Sequence, residues 1–312
     1  MLGETYAYQD AANKLEELAV TRTTSGYLSH PLASYSQAFP ESEIQIYSTR
    51  TASGQAWHLT NASNDLEIGD EAVFTIQGII SQCDLPPVVR PYGKSVSPKH
   101  LRQRVLLTGL NTATFSHALE GLARVDNILR LNIRDDAPPR ITALVQGYPA
   151  LEITNRYFTS KRMASEEDHL SFANDIDPNG ILEQLRGDSL VHTSDNAVQY
   201  FQRLTANGGQ QFKAIKPAHI KKGDIAEIQF TISLVEVNAG KGKDSRQHYI
   251  TKLVLRSITQ LDRSFSDACR LRNGRNAPRP SLKRKIGHED EEAKETQDRI
   301  KRMAVDEPNL LG

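Results

Sequence analysis

Cysteine is nearly absent from this sequence: Cys83 and Cys269 are the only two in 312 residues. No CxxC pair exists, and two thiols cannot make a zinc site without several histidines. They read as free thiols of a reducing compartment, not as a disulfide framework. Long apolar runs are missing as well, so the sequence offers no membrane-spanning helix. Met1-Leu2-Gly3-Glu4 has no basic stretch followed by an apolar core, and the expectation is that the chain carries no secretory leader. The GxxxxGK[ST] spacing of a phosphate-cradling loop and the GxSxG elbow of hydrolases are both absent. Net charge is lacking too, because 38 Lys and Arg balance 38 Asp and Glu. A neutral chain has no global attraction to nucleic acid or membrane.

That balance hides a segregation. Residues 197–262 hold ten Lys or Arg against five Asp or Glu, and residues 263–285 hold eight against one. The rest of the chain carries the compensating acid. Asymmetry of this kind implies an anionic partner for the C-terminal half.

The basic half also has the strongest secondary-structure signal. In Ile225–Val237, Ile228, Phe230, Ile232 and Leu234 share one parity, while Glu227, Gln229, Thr231 and Ser233 share the other. Such alternation predicts a half-buried strand with one wet face. Strands are also predicted over 197–204 and 211–215, joined by a turn at Asn207-Gly208, where both residues tolerate positive φ. A last strand is predicted over 247–260, after a Lys- and Gly-rich loop.

The first half repeats some of this pattern. Strands are predicted over 71–83, 104–110, 140–146 and 151–158, with a Pro-rich loop at Pro86-Pro87 and Pro91. Phe115, Leu119, Leu122, Val125, Ile128 and Leu129 recur at helical spacing, which predicts a helix over 114–131 with Thr114 as its N-cap. Gly69-Asp70 and Gly223-Asp224 each launch a long alternating strand, an echo that admits two similar barrels. The expected fold is α+β and β-rich, with two β-barrel-like, OB-like regions, a helix in the first, and disordered termini. The expected organisation is a mostly flexible N-terminal region (1–63), a first β-rich domain (64–160), an acidic connector (161–188), a C-terminal β-barrel-like domain (189–268), and a basic linker with a tail helix (269–312). Within the N-terminal region, residues 10–19 suggest one short helix with Ala11, Leu15 and Leu18 on a face, and 43–48 a strand.

Several constellations bear on function. Lys241, Lys243 and Arg246 lie in the flexible loop, and Lys213, Lys252 and Arg256 lie on strands beside it. With Tyr200 and Tyr249 as stacking surfaces, they form a candidate site for single-stranded nucleic acid on a small barrel. The competing reading makes Phe201, Phe212 and Phe230 core residues and the loop an ordinary soluble hairpin tip. Lys283-Arg284-Lys285, with Lys301 and Arg302 downstream, has the form of a basic import signal that a nuclear receptor reads. Asp175-Ile176-Asp177-Pro178-Asn179-Gly180 opens like a calcium loop, but Arg186 stands where the bidentate acid belongs, so a turn is expected. His192, Asp195 and the serines at 189 and 194 are too close in sequence for a triad. No catalytic residue, metal ligand or cofactor is assigned.

Five segments look familiar together: residues 190–196, 222–227, 253–258, 137–141 and 281–285, which read LVHTSDN, KGDIAE, LVLRSI, APPRI and SLKRK. In these the chain resembles a group of uncharacterised proteins present in many copies in mushroom-forming fungi. The resemblance covers most of the chain from about residue 66. Copy number of that kind implies a mobile-element association and agrees with a nuclear, DNA-facing role. It supplies no activity and no catalytic residue. The expected function is a nuclear, non-enzymatic protein that contacts single-stranded nucleic acid, with cytoplasm as the other address. The alternative is a protein-interaction scaffold that presents an edge strand or the tail helix to a partner.

Overall fold

A computed structural model describes all residues except 1, 25–27, 29, 40–41, 52–53, 63–68, 91–96, 134–141, 165–167, 207–208, 238–247, 277–288 and 306–312. The chain divides into two compact units, Met1–Arg272 and Asn273–Gly312. Helix α1 (Tyr8–Thr24) is followed by strands β1 (Ile44–Thr51), β2 (Gly54–Asn61), β3 (Val73–Asp84) and β4 (Arg102–Thr108). Helix α2 (Ala113–Ile133) leads to β5 (Thr142–Val145), β6 (Tyr148–Arg156) and β7 (Thr159–Ser160). Helix α3 (Ile181–Arg186) precedes β8 (Leu190–Val191), β9 (Gln199–Ala206), β10 (Gly209–Ala214), β11 (Ile225–Val237) and β12 (His248–Asp262), and α4 (Ser264–Asn276) follows. The second unit contains α5 (Glu289–Val305), which ends on a basic turn that includes Arg302. A basic last turn complements the negative end of the helix dipole.

Five strands close on themselves. β3 pairs with β11 and β4, β4 with β6, β6 with β12, and β12 returns to β11. The closing contact is parallel, with Val254 opposite Thr154, and Asn155 Nδ2 donates across it to the Leu255 carbonyl at 3.0 Å. Hairpin β1–β2 extends the far end of β11, where Ser233 faces His58. Hairpin β9–β10 extends β12 in parallel, where Ser257 faces Gln199. The β-rich α+β expectation stands, and it stands as one barrel. The two Gly-Asp-launched strands, β3 and β11, are antiparallel neighbours in it. The two regions that the sequence set apart therefore share one barrel, because each supplies too few strands to close alone.

Alternation fills the interior. Phe74, Ile76, Val105, Leu107, Leu151, Ile153, Ile228, Phe230, Ile232 and Leu255 form one buried core. The apolar stripe of α2 joins it through Phe115, Leu122, Val125 and Leu129. Gly121 lets the 3-10 turn Leu32–Ser36 approach this helix: a Cβ there would stand 2.0 Å from the Leu32 carbonyl oxygen. Thr114 lies inside the first turn, not at the cap. Its amide and hydroxyl both donate to Glu16 of α1, the hydroxyl at 2.9 Å. A carboxylate there satisfies orphan amides and faces the positive end of the helix.

The N-terminal region, expected to be mostly flexible, is packed where it is described. Ala11, Leu15 and Leu18 of α1 are buried against Ile79, Ile225 and Leu261 on the outside of the barrel. Arg22 reaches the buried Glu227 at 2.6 Å, and Gln77 donates to the same carboxylate at 2.8 Å. The start of the expected basic linker (269–312) is helical, because α4 runs to Asn276, and the first amide of α4 donates to Asp262 Oδ1 at 2.7 Å. Arg263 pairs with Asp267 at 3.2 Å along this polar helix. The connector is folded around Leu182, Tyr157 and Phe158, with Asp177 accepting from the amides of Ile181 and Glu183 at 2.8 and 2.9 Å. Its calcium-like opening is a turn and helix cap.

Candidate nucleic-acid interface

The outer faces of β4, β6 and β12 meet where the barrel closes. Arg102 on β4 lies directly opposite Arg156 on β6. The parity that sends Val105, Ile153 and Leu253 into the core sends Arg102, Arg156 and Lys252 to the exposed side. Three cations from three strands share one surface. Partial desolvation, with Arg102 and Arg156 beside it, holds the Lys252 ammonium below its ordinary pKa of 10.5. Desolvation likewise pulls Arg156 below the usual guanidinium value, with Arg102 adding to the shift and Asp195 opposing it. Arg102 donates to Thr154 Oγ1 at 3.4 Å. Among the described residues, no carboxylate forms an ion pair with any of the three.

Neighbouring cations are quenched. Arg104 is held between Asp84 at 2.7 Å and Glu152 at 3.1 Å. Arg256, a predicted backbone-tracking residue, pairs with Glu71 and also approaches Asp195 at 3.7 Å. It is a neutralised residue, not a free contact.

The other predicted residues scatter. Lys213 is exposed on β10, which reaches β12 only through β9, at the level of Gln260. Lys252 is eight residues back along β12, roughly 26 Å at strand rise, so Lys213 does not join the patch. Tyr200 is buried, and its hydroxyl donates to Gln103 Oε1. Burial raises its pKa, and its ring belongs to the core, so it offers no stacking surface. Tyr249 is half-buried and meets Trp57 edge-on at 5.4 Å. Lys241, Lys243 and Arg246, and Lys283, Arg284 and Lys285, lie outside the described residues. Lys301 and Arg302 are exposed on α5. Of the predicted strand cations, Lys252 alone lies in the cluster. Arg102 and Arg156 were missed: Arg156 lay within a predicted strand (151–158), whereas Arg102 precedes the predicted 104–110 strand and belongs to β4 as observed.

Beside Arg102 the surface falls into a groove of about 350 Å³ between the Leu85–Arg90 loop and Tyr157. A second, polar recess of about 210 Å³ lies over Asp224. That carboxylate is structural: it accepts from the Lys221 amide at 2.8 Å, from Gln260 Nε2 at 2.7 Å and from Ser266 Oγ. Burial raises its pKa despite these bonds. His192 is structural too. Its ring stacks on Phe172 at 4.2 Å and its Nδ1 meets the Tyr157 carbonyl at 2.8 Å. Among the described residues, no group of His, Cys, Asp and Glu is arranged to hold a metal ion, and no helix is long and apolar enough to cross a membrane.

No family model and no curated protein matches the chain. Among solved structures, the crystal structure of gp2.5, a single-stranded DNA binding protein encoded by bacteriophage T7, aligns over 61% of this chain and 87% of that chain. The identity is 8% and the TM-score 0.31. A likeness at that level decides neither fold nor ligand.

Proposed function

We propose that the barrel binds single-stranded nucleic acid through the face formed by Arg102, Arg156 and Lys252. The observation that carries this reading is the convergence of three like charges from three separate strands, with no ion-pairing carboxylate among the described residues. Folding gains nothing from such an arrangement, because like charges repel. A phosphate backbone relieves the repulsion and releases its own counterions. The mechanism is electrostatic tracking without chemistry, in a nuclear protein that is not an enzyme.

Anisotropy of a labelled single-stranded oligonucleotide, titrated with the full chain, tests it. Replacing Arg102, Arg156 and Lys252 by Gln together lowers affinity at low salt at least tenfold. The wild-type log K falls against log salt with a slope of about −2, at about −0.7 per phosphate contacted. Equal affinity of the triple variant, or binding indifferent to salt, overturns the reading. Lys283, Arg284, Lys285, Lys301 and Arg302 supply the nuclear address in this proposal. A fluorescent fusion with all five changed to Ala shifts to the cytoplasm, and unchanged nuclear signal rejects the assignment.

Edge strand β10 supports a second reading, a protein-interaction scaffold. Phe212 on that strand is 48% exposed, and β10 ends the sheet path. Partner capture along β10 survives changing Lys252 and Arg256 to Ala, whereas the first reading loses binding on changing Lys252.

A further inference from the structure

We infer that the groove beside Arg102 takes one unstacked nucleobase, and that it makes the basic face selective for single strands over duplex. The inference rests on the function proposed above and adds the part of the ligand that phosphate contacts leave unread. Arg102 belongs to both features, since it faces Arg156 across β4 and β6 and also lines the groove. A strand tracked along Lys252, Arg156 and Arg102 is therefore delivered to the groove mouth. The wall there is apolar, built by Leu85, Pro87, Val88 and Val89, and Arg90 supplies a second cation at the rim. Val89 is 53% exposed, a large apolar side chain left in water.

The groove also contains a carboxylate, Asp84. Arg104 offsets part of its charge at 2.7 Å while also pairing with Glu152, and Arg90 and Arg102 line the same groove. Two hydrogen bonds brace the described part of the loop that builds the wall. The Val88 amide donates to the Ile176 carbonyl at 2.9 Å, and Asn179 Nδ2 reaches the Val89 carbonyl at 3.4 Å. An apolar slot with guanidinium groups at its edges matches a nucleotide: a flat base with a charged ester attached. A paired base inside a duplex cannot enter it. Of the chemistries that present both parts, single-stranded nucleic acid is the one the adjoining cation face also fits.

The test compares three probes of equal length with the full chain: an oligothymidylate, the same backbone made abasic, and a duplex. The wild type binds oligothymidylate about tenfold more tightly than either the abasic strand or the duplex, and equal affinity for the duplex overturns the inference. Val89→Ser removes apolar wall without changing charge and weakens oligothymidylate binding about fivefold. The abasic affinity of that variant stays at the wild-type value. Equal wild-type affinity for oligothymidylate and the abasic strand overturns the inference and leaves the basic-face reading intact. So does a Val89→Ser variant that matches the wild type on oligothymidylate. Failure of all three probes to bind overturns both. Val89 is a surface residue, so loss of folding does not complicate the variant.

Discussion

On the outer side of β3 and β11, the guanidinium of Arg22 is buried against the carboxylate of Glu227. On the outer side of β4, β6 and β12, Arg102 and Arg156 stand exposed beside Lys252. The two faces belong to one barrel and differ in what covers them. α1 seals the first, and a charge taken out of water there must have a partner, because desolvation costs several kcal/mol per ion. On the second, Arg102, Arg156 and Lys252 are exposed enough to be tolerated without a partner, at the cost of the partial desolvation felt by Arg156 and Lys252, and among the described residues none of the three has an ion pair. The comparison separates charges that serve folding from charges left over, and the proposed ligand face rests on the leftover cluster.

The largest way to break this comparison is at the sealed face. Glu227→Ala leaves Arg22 buried without its carboxylate and Gln77 without its acceptor. Urea unfolding should show a loss of about 3–5 kcal/mol. Replacing Arg22 and Glu227 together by Met should recover most of it, because neither charge is then stranded. A loss below about 1 kcal/mol would mean that α1 does not seal this face in solution. A smaller effect follows at the helix that does the sealing. Glu16→Ala removes the acceptor for the Thr114 amide and hydroxyl at the start of α2. It should cost about 1 kcal/mol, the usual size of a lost cap.

The two faces were unequally readable in the sequence. β11 emerged with its bounds intact because Ile228, Phe230, Ile232 and Leu234 enter the core while Glu227 and Gln229 do not, and period two needs no knowledge of neighbours. α2 was equally plain from its apolar stripe. The sealed face was not, since Arg22 looks like any polar helix residue until Glu227 is brought beneath it. β2 was missed because Trp57 and Leu59 are too few, among polar neighbours, to mark a strand. The open face was half visible. Lys252 was found on its own strand, but Arg102 and Arg156 join it only through the β6–β12 closure. Which strands become neighbours is a property of barrel topology, and local pattern does not encode it. Tyr200 failed in the opposite sense: an aromatic on a strand suits core or platform equally, and its distant partner Gln103 decides for the core.

The open face can be probed without any ligand. Arg156→Gln should leave stability within about 0.5 kcal/mol of the wild type, on the side of a gain at low salt. Added salt screens the repulsion among Arg102, Arg156 and Lys252, so the wild-type melting temperature should rise with salt more than that of the variant. A clear destabilisation by Arg156→Gln would show that this guanidinium serves the fold, and would remove the contrast with Arg22.

The smallest effect concerns the proton on Lys252. Its folded pKa lies below the ordinary 10.5, through desolvation first and then Arg102 and Arg156. In the window between the folded value and 10.5, the unfolded chain holds a proton that the folded chain has released. Stability from this group therefore rises with pH across that window, and at neutral pH its full penalty is present. Lys252→Met removes the group and with it the slope. The variant should thus gain most over the wild type at neutral pH, and the gap should narrow as pH climbs toward 10.5. Because Lys252 is exposed, solvent screens the effect, and it should be read as a difference between two pH profiles measured side by side. A gap that stays constant with pH would mean that the ammonium does not feel the two arginines, and the cluster would reduce to three independent surface charges.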